Sequence, residues 1–332
     1  MMAGFGKTVE EEKAVKQAKE AVVQHGVEVS KNDPYAYLRK EHNSLVEKTT
    51  QFGEYVAIAG HEGSCKSGVV LHGYVMRPDA NPLDEFHIVD FDTGGEMLQV
   101  SQYPDEKGIV SWDPWLMSGA DRTAYDYPGT HQRTMDLMKY FVSIAEKQHD
   151  PEYKGKRVWG VLICGVDLWD SICVNNMRIV DLGLAKDGID AADNRGAGKG
   201  ERVGHQWDWA VRKTRFHQLT AMSRKLVKLG VNVYWETHLR MTNYSFGGNE
   251  DNAKWRPDWE KSSNNYVPTI IIMESEEEYD DDNNLVKTSY YGRFEKCKSN
   301  PRLQNQRFKV FETKTDDEPV WYGLAPLFTG DL

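Results

Sequence analysis

Short apolar runs alternate along the chain with longer amphipathic segments. Amphipathic stretches at residues 130–148 and 207–229 show the spacing of apolar positions that is typical of helices. Apolar strands that alternate with helices predict an α/β fold with a mainly parallel central sheet flanked by helices. The runs with the composition of buried strands are residues 55–59, 86–92, 158–167, 231–238 and 269–273.

The polar segments between these runs predict the domain organisation. Residues 1–50 are polar, with a charged helix predicted at residues 10–24 and a second, polar helix at about residues 34–48. We interpret them as a short helical N-terminal appendage to a core of residues 51–332. Two long polar stretches, residues 175–205 and 241–265, have the length of functional loops. The acidic run ESEEEYDDD, residues 274–282, is typical of a solvated hairpin tip.

Composition narrows the class of protein. Hydrophobic residues make up 39% of the 332 positions and aromatic residues 11%, which is enough to build a large core and excludes wholesale disorder. No apolar run approaches the roughly 20 residues of a membrane helix, and no secretory signal is visible. The four cysteines lack paired or metal-type spacing, so we expect reduced thiols in a cytoplasm. A net charge of −10 restricts any nucleic-acid contact to a local patch.

A glycine-rich segment after the first predicted strand carries the clearest chemistry. Its spacing approaches G-x-x-x-x-G-K-[ST], in which backbone N–H groups surround phosphates, the lysine reaches the outer phosphates and the hydroxyl binds Mg²⁺. Cys65 replaces the second glycine, and a side chain is tolerated there if φ stays negative and Cβ points away from the nucleotide. The predicted nucleotide-binding residues are Gly60, His61, Glu62, Gly63, Ser64, Cys65, Lys66, Ser67 and Gly68.

Acidic and imidazole side chains at three further strand ends fit a nucleotide hydrolase. Asp167 ends the third strand and could orient Mg²⁺, although Asp170 could have this role instead and a strand-terminal Asp can also cap the next helix. Asp92 ends the second strand, where a general base could hold the attacking water, with Asp90 as the alternative. His238 closes the fourth strand and could hydrogen-bond the terminal phosphate.

In their order and type, these segments resemble the RecA/RadA-type ATPase core, in particular divergent RecA-like proteins of bacteriophages, over roughly residues 50–315. The resemblance implies a RecA-like P-loop NTPase that hydrolyses ATP with Mg²⁺ at an interface between subunits of a homo-oligomeric ring or filament. Ser67 and Asp167 would hold the metal, Lys66 the phosphates and Asp92 the water. The family commonly has Glu where this chain has Asp92, and often Gln where it has His238.

The resemblance also assigns residues after the sensor strand. In that family a Lys-x-Lys pair reaches the neighbouring subunit's nucleotide, and Lys296 and Lys298 fit this pattern. Two loops of the family bind single-stranded DNA, and here they would be residues 175–205 and 240–265. The second loop mixes basic and aromatic residues suited to stacking and phosphate contact, yet its charges sum to about zero, so an aromatic loop that packs on a neighbouring subunit is the alternative. Its DNA-binding candidates are Arg240, Tyr244, Phe246, Lys254, Trp255 and Arg256, with Trp259 beside them.

We therefore expect an ATPase that acts on DNA in phage-type recombination, annealing or replication, located in the cytoplasm or, if viral, in the host cytoplasm. Because residues 1–50 are too short for a recombinase polymerisation domain, a reduced relative is favoured over a strand-exchange recombinase. The alternatives are a DNA-packaging-type motor, a P-loop kinase that uses Arg212, Arg215 and Arg224 of a predicted helix, and a non-hydrolysing nucleotide-binding scaffold, for which Cys65 is the main support.

Overall fold

The computed structural model describes residues 52–78, 80–118, 124–181, 208–242, 254–315 and 317–324. The chain divides after residue 50 into two units, and all described residues belong to the second, so the predicted helical appendage lies outside them. The strands are β1 (Tyr55–Gly60), β2 (Asp84–Asp90), β3 (Ile109–Trp112), β4 (Met117–Ser118), β5 (Ala124–Tyr125), β6 (Arg157–Cys164), β7 (Asn232–Thr242), β8 (Lys254–Pro257), β9 (Thr269–Tyr279), β10 (Leu285–Cys297), β11 (Arg307–Lys314) and β12 (Val320–Trp321). The helices are α1 (Lys66–Val75), α2 (Gly94–Gln102), α3 (Tyr127–Lys147), α4 (Val166–Val180), α5 (Asp208–Lys228) and α6 (Ser263–Tyr266), with a 3₁₀ turn at Pro301–Leu303.

One large sheet organises this unit, with the strand order β12-β11-β10-β9-β1-β7-β6-β2-β3. The six neighbouring strands β9, β1, β7, β6, β2 and β3 pair in parallel. On the other side of β9, the strands β10, β11 and β12 form an antiparallel extension, and β8 pairs with the end of β7. The predicted mixed α/β fold with a mostly parallel central sheet is confirmed. β1 lies between β7 and β9, so that Gly60 is in register with His238 on one side and Met273 on the other.

Helices cover both faces of the sheet, and alternate residues of each strand point to opposite faces. On one face α3, α4 and α5 pack on a core that contains Phe141, Trp169 and Phe216. On the other face α1 and α2 pack on a core that contains Ile58 and Leu71. Burying a large apolar side chain contributes about 1.5–3 kcal/mol, so these two cores hold the strand ends in fixed positions.

Three predicted strand ends differ from the observed ones. β2 ends at Asp90, so Asp92 lies in the turn before α2 rather than on the strand. β6 ends at Cys164, because Gly165 adopts a left-handed φ of 75° and begins α4, which places Asp167 in the first helical turn. β7 continues to Thr242 because β8 pairs with its end, so His238 lies within the strand.

Parts of the two long polar segments lie within the described residues and contain regular structure. The first contains the end of α4, and the second contains β8 and α6. The predicted hairpin at the acidic run is confirmed: β9 and β10 pair around a turn in which Asp280 accepts hydrogen bonds from the backbone N–H groups of Asp282 and Asn284. Residues 182–207 and 243–253, which include Tyr244 and Phe246, lie outside the described residues. In the described ranges, no helix has the length and apolar character that crossing a membrane requires.

Candidate functional site

The glycine-rich segment forms a tight turn between the carboxyl end of β1 and the N-terminus of α1. Gly63 and Cys65 both have left-handed backbones, with φ of 73° and 63°. At Gly60, an added Cβ would lie 2.3 Å from Ser64 Oγ, so only glycine allows the chain to fold back this closely. His61, Glu62 and Gly63 are exposed at the tip. Turns of this type direct successive N–H groups inward and bind anions at the helix N-terminus.

The expectation that Cys65 keeps a negative φ is wrong. The chain must pass from strand to helix within five residues, and this requires the left-handed conformation at the position before Lys66. The half-buried thiol packs over the first turn of α1, where an added Cβ on Gly68 would lie 2.8 Å from Sγ. Burial, together with the charge of Glu236, raises the pKa of Cys65 to about 12. The side chain is therefore a neutral packing group.

Lys66 is buried and faces back into the turn. Its Nζ donates a hydrogen bond to the carbonyl oxygen of His61 at 3.0 Å, and Ser64 Oγ donates to the same carbonyl at 2.7 Å. Lys66 Nζ also lies 3.9 Å from Glu236 Oε1. The ammonium group is thus held inside the turn that connects β1 with α1.

Glu236 is the functional candidate that the sequence analysis missed. It lies on β7 next to β1, is buried, and accepts a hydrogen bond from Ser67 Oγ at 2.6 Å. Burial raises its pKa, and the nearby charge of Lys66 opposes the shift. The available signal was a single carboxylate inside the apolar run of residues 231–238. Hydroxyl and carboxylate oxygens are the ligands that Mg²⁺ prefers, so Ser67 and Glu236 fit a magnesium site.

Two carboxylates follow β2, and the structure separates their roles. Asp90 is buried and accepts hydrogen bonds from the backbone N–H groups of Glu96 at 2.7 Å and Asp92 at 3.3 Å, which ties it to the start of α2. Burial and the neighbouring Asp92 raise the pKa of Asp90 to about 7. Asp92 is half-buried, and its Oδ1 accepts from the Gly94 N–H at 3.0 Å. Asp92 therefore presents the more accessible carboxylate, as a group that holds water would.

A thiol occupies the end of β6 beside these carboxylates. One ligand atom each from Asp90, Asp92 and Cys164 lies within 4.8 Å of the others. Burial, followed by the charges of Glu236 and Asp90, raises the pKa of Cys164 well above its usual range. β6 therefore ends in a neutral thiol and not in a carboxylate.

Asp167 and Asp170 both lie on α4, away from Ser67. Asp167 contacts His238 Nδ1 at 3.3 Å and accepts a hydrogen bond from Thr237 Oγ1 at 3.4 Å. Asp170 forms an ion pair with Arg212 of α5 at 2.8 Å. Although burial opposes it, the hydrogen bond with His238 lowers the pKa of Asp167, and the same bond raises the pKa of His238.

The DNA-binding candidates that the structure describes lie on the β7–β8 hairpin, beside the turn between β1 and α1. Arg240 forms an ion pair with Asp258 at 3.1 Å, and Arg256 is half-buried on the opposing strand. Trp255 is 50% exposed and contacts the ring of His61 edge-on, with 4.5 Å between ring centroids. Trp259 is buried in the core, so it is not available for base stacking. Lys254 begins β8.

The two candidate interface lysines lie near the end of β10. Lys296 Nζ donates hydrogen bonds to the carbonyl oxygens of Asn264 and Val267, and Lys298 Nζ donates to that of Asn265 at 3.2 Å. Both ammonium groups thus bind carbonyls of the short helix α6 and its end within one subunit. Burial and the neighbouring Lys298 lower the pKa of Lys296.

Comparison with known proteins adds no family to this picture. No model of a known protein family and no curated protein matches the chain.

We expect the backbone strain at Cys65 to set the relative stability of the parent protein and of two variants, Cys65→Gly and Cys65→Val. A left-handed backbone destabilises a non-glycine residue by about 1–2 kcal/mol, and glycine relieves this strain. Glycine also gives the unfolded chain more conformational freedom, which offsets about 0.5–1 kcal/mol of the gain. Cys65→Gly should therefore slightly raise the free energy of unfolding, whereas the β-branched Cys65→Val should lower it by about 1–3 kcal/mol. Urea unfolding measures both. A Val variant as stable as the parent would contradict the left-handed assignment.

We expect Asp167→Asn to lower the pKa of His238. The variant keeps the shape of the side chain but removes the negative charge that stabilises the imidazolium. The measurement is an NMR titration of the imidazole, assigned with a His238→Ala variant. Asp170→Asn, which removes the partner of Arg212, is the matched control and should leave the His238 pKa unchanged. An unchanged pKa in Asp167→Asn would show that the pair does not form in solution.

Proposed function

We propose that the chain binds ATP with Mg²⁺ and hydrolyses it, and that its core is a RecA-like P-loop ATPase. The observation that carries the proposal is the phosphate-binding turn: Lys66 and Ser67 begin α1 directly after a turn with two left-handed residues at the end of the central parallel strand. A helix N-terminus and a buried ammonium group together provide the positive environment that a polyphosphate requires.

The strand order supports the RecA-like part of the proposal. β7 separates β1 from β6, and the carboxyl ends of β1, β2 and β6 bring the turn, Asp92 and Cys164 to one edge of the sheet, where Glu236 of β7 lies opposite Ile58 near the end of β1. The antiparallel extension β9–β12 follows in the place where the resemblance expects the segment with Lys296 and Lys298. Ligands of open α/β sheets bind at this edge.

The residues suggest a division of tasks in hydrolysis. Lys66 would neutralise the outer phosphates, and the N-terminus of α1 would bind the remaining phosphate oxygens through its N–H groups. Mg²⁺, when bound, supplies further charge neutralisation on the phosphates. Asp92 would hold the attacking water by accepting a hydrogen bond from it. His238 would connect the phosphate end of the site with Asp167 and, along β7, with the β7–β8 hairpin.

The proposal also includes DNA as substrate and other copies of the chain as partners. Trp255, Arg240 and Arg256 place an exposed ring and two guanidinium groups beside the phosphate-binding turn, which is a combination that suits single-stranded DNA. Because Trp255 contacts His61, DNA on this hairpin would lie one ring away from the nucleotide site. A neighbouring subunit would supply Lys296 or Lys298, which would first have to leave the carbonyls of α6.

The geometry favours one alternative and weakens another. The kinase alternative needs a lid of arginines. Arg212 forms an ion pair with Asp170 of α4, and Arg215 forms one with Asp181 at the end of α4. Both pairs lie on the face of the sheet opposite α1, which weakens this alternative. A non-hydrolysing nucleotide-binding scaffold gains support from the strained Cys65 and from the thiol at the end of β6. The two functions share the binding site and differ only in turnover.

We expect Lys66→Ala to weaken ATP binding about 10- to 100-fold, because a charge-assisted hydrogen bond contributes about 1.5–3 kcal/mol. Titration with a fluorescent ATP analogue measures binding, and phosphate release measures turnover. Lys139→Ala, at an exposed position of α3, is the matched control and should bind and hydrolyse ATP like the parent. Parent-like binding by Lys66→Ala would end the phosphate-loop proposal, whereas tight binding without turnover by the parent would favour the scaffold.

We expect ATP turnover per subunit to rise with protein concentration and with added single-stranded DNA, because the active site would be completed between subunits. Lys296→Ala should reduce turnover on the order of 100-fold, the usual effect of losing one transition-state donor. Mixing Lys296→Ala with Lys66→Ala subunits should restore part of the activity, since a mixed interface combines an intact Lys66 with an intact Lys296. Turnover that is independent of concentration, with no recovery on mixing, would contradict a shared site.

A further inference from the structure

Three carboxylates near the phosphate-binding turn are candidates to hold Mg²⁺ together with Ser67, and only one of them contacts this residue. Glu236 Oε2 accepts the hydrogen bond of Ser67 Oγ at 2.6 Å, while Glu236 Oε1 faces Lys66 Nζ at 3.9 Å. One carboxylate thus spans the two side chains of the turn that contact phosphate and metal in this kind of site. The other two, Asp92 and Asp167, have partners elsewhere.

The alternation of side chains along β7 places Glu236 and Thr237 on opposite faces of the sheet. Glu236 points to the face covered by α1 and meets Ser67, whereas Thr237 meets Asp167 of α4. Asp167 also contacts His238, so its described hydrogen-bond partners are these two residues of β7 and not Ser67.

The end of β6 provides no competing carboxylate. The residue in that position is Cys164, a buried thiol whose pKa is raised by burial and then by the charge of Glu236. Glu236 is itself buried, and its contacts in the turn are Lys66 and Ser67. A desolvated carboxylate with a hydroxyl beside it provides two oxygen ligands for a small hard cation.

We propose that Glu236 of β7, rather than a carboxylate at or after the end of β6, is the acidic group that holds the Mg²⁺ of a bound nucleotide together with Ser67. This inference rests on the proposed nucleotide binding. It transfers the metal-orienting role from the strand where the sequence predicted it to the neighbouring strand. Asp167 then acts on His238 and not on the metal.

The test compares nucleotide affinity with Mg²⁺ and with EDTA, by titration with a fluorescent ATP analogue. In the parent we expect Mg²⁺ to tighten binding, and in Glu236→Gln we expect this ratio of affinities to fall about tenfold or more, because one charged metal contact is lost. Affinity in EDTA should be unchanged or higher in the variant, since a negative charge beside the phosphates is removed. Asp167→Asn should keep the parent's ratio.

Two further measurements keep the test decisive if the buried substitution lowers stability. Ser67→Ala removes the hydroxyl partner and should reduce the Mg²⁺ ratio as Glu236→Gln does, and the double variant should be no worse than either single one, because both groups serve one ion. Mn²⁺ binding in the presence of ADP, followed by electron paramagnetic resonance, should be lost in both and retained in Asp167→Asn.

The outcomes separate the two levels of the proposal. A parent that binds no nucleotide would overturn nucleotide binding and this inference together. A parent whose affinity does not depend on Mg²⁺, or an Asp167→Asn variant that loses the Mg²⁺ effect while Glu236→Gln keeps it, would overturn the role of Glu236 and leave phosphate binding standing.

Discussion

The pairing of β1 with β7 determines what the rest of the site can do. Their parallel register sets Ile58 opposite Glu236 and Gly60 opposite His238, directly beneath the turn between β1 and α1. A shift of one residue would exchange the faces of Glu236 and Thr237, because the side-chain period of a strand is two. Ser67 would then face a threonine, and the carboxylate would lie among the apolar side chains under α4. The chemistry at the turn thus depends on backbone hydrogen bonds several residues away from it.

The charges at this edge of the sheet are arranged around one lysine. Lys66 faces Glu236, and two more carboxylates, Asp90 and Asp92, follow the neighbouring strand β2. These three carboxylates outnumber the one lysine, and burial raises the pKa of Asp90 and of Glu236. Buried charges are costly without a partner. Such an excess favours the arrival of a cation together with a polyphosphate over a polyphosphate alone.

The sequence predicted the central strands well because each contains a short, mainly apolar run that is buried on both faces of the sheet. β1, β2, β6, β7 and β9 all lie where such runs occur. It did not predict β10 and β11, where charged residues alternate with apolar ones. Lys287 of β10 forms an ion pair across strands with Glu278, and Lys309 forms one within β11 with Glu312. Nor could the sequence identify Glu236, whose role follows from the register of two strands far apart in the chain. The left-handed Cys65 escaped because no glycine marks the position.

The central position of β1 has a consequence for the order of folding. β1 leaves the ribosome first among the strands, yet its two partners, β7 and β9, are synthesised late: Glu54 and Asn232 hydrogen-bond across a sequence separation of 178 residues. Chains dominated by such distant pairings fold slowly and expose unpaired strand edges in the meantime. A nascent chain that ends before residue 231 already contains Lys66 and Ser67, but it has neither β7 to pair with β1 nor the carboxylate that faces them.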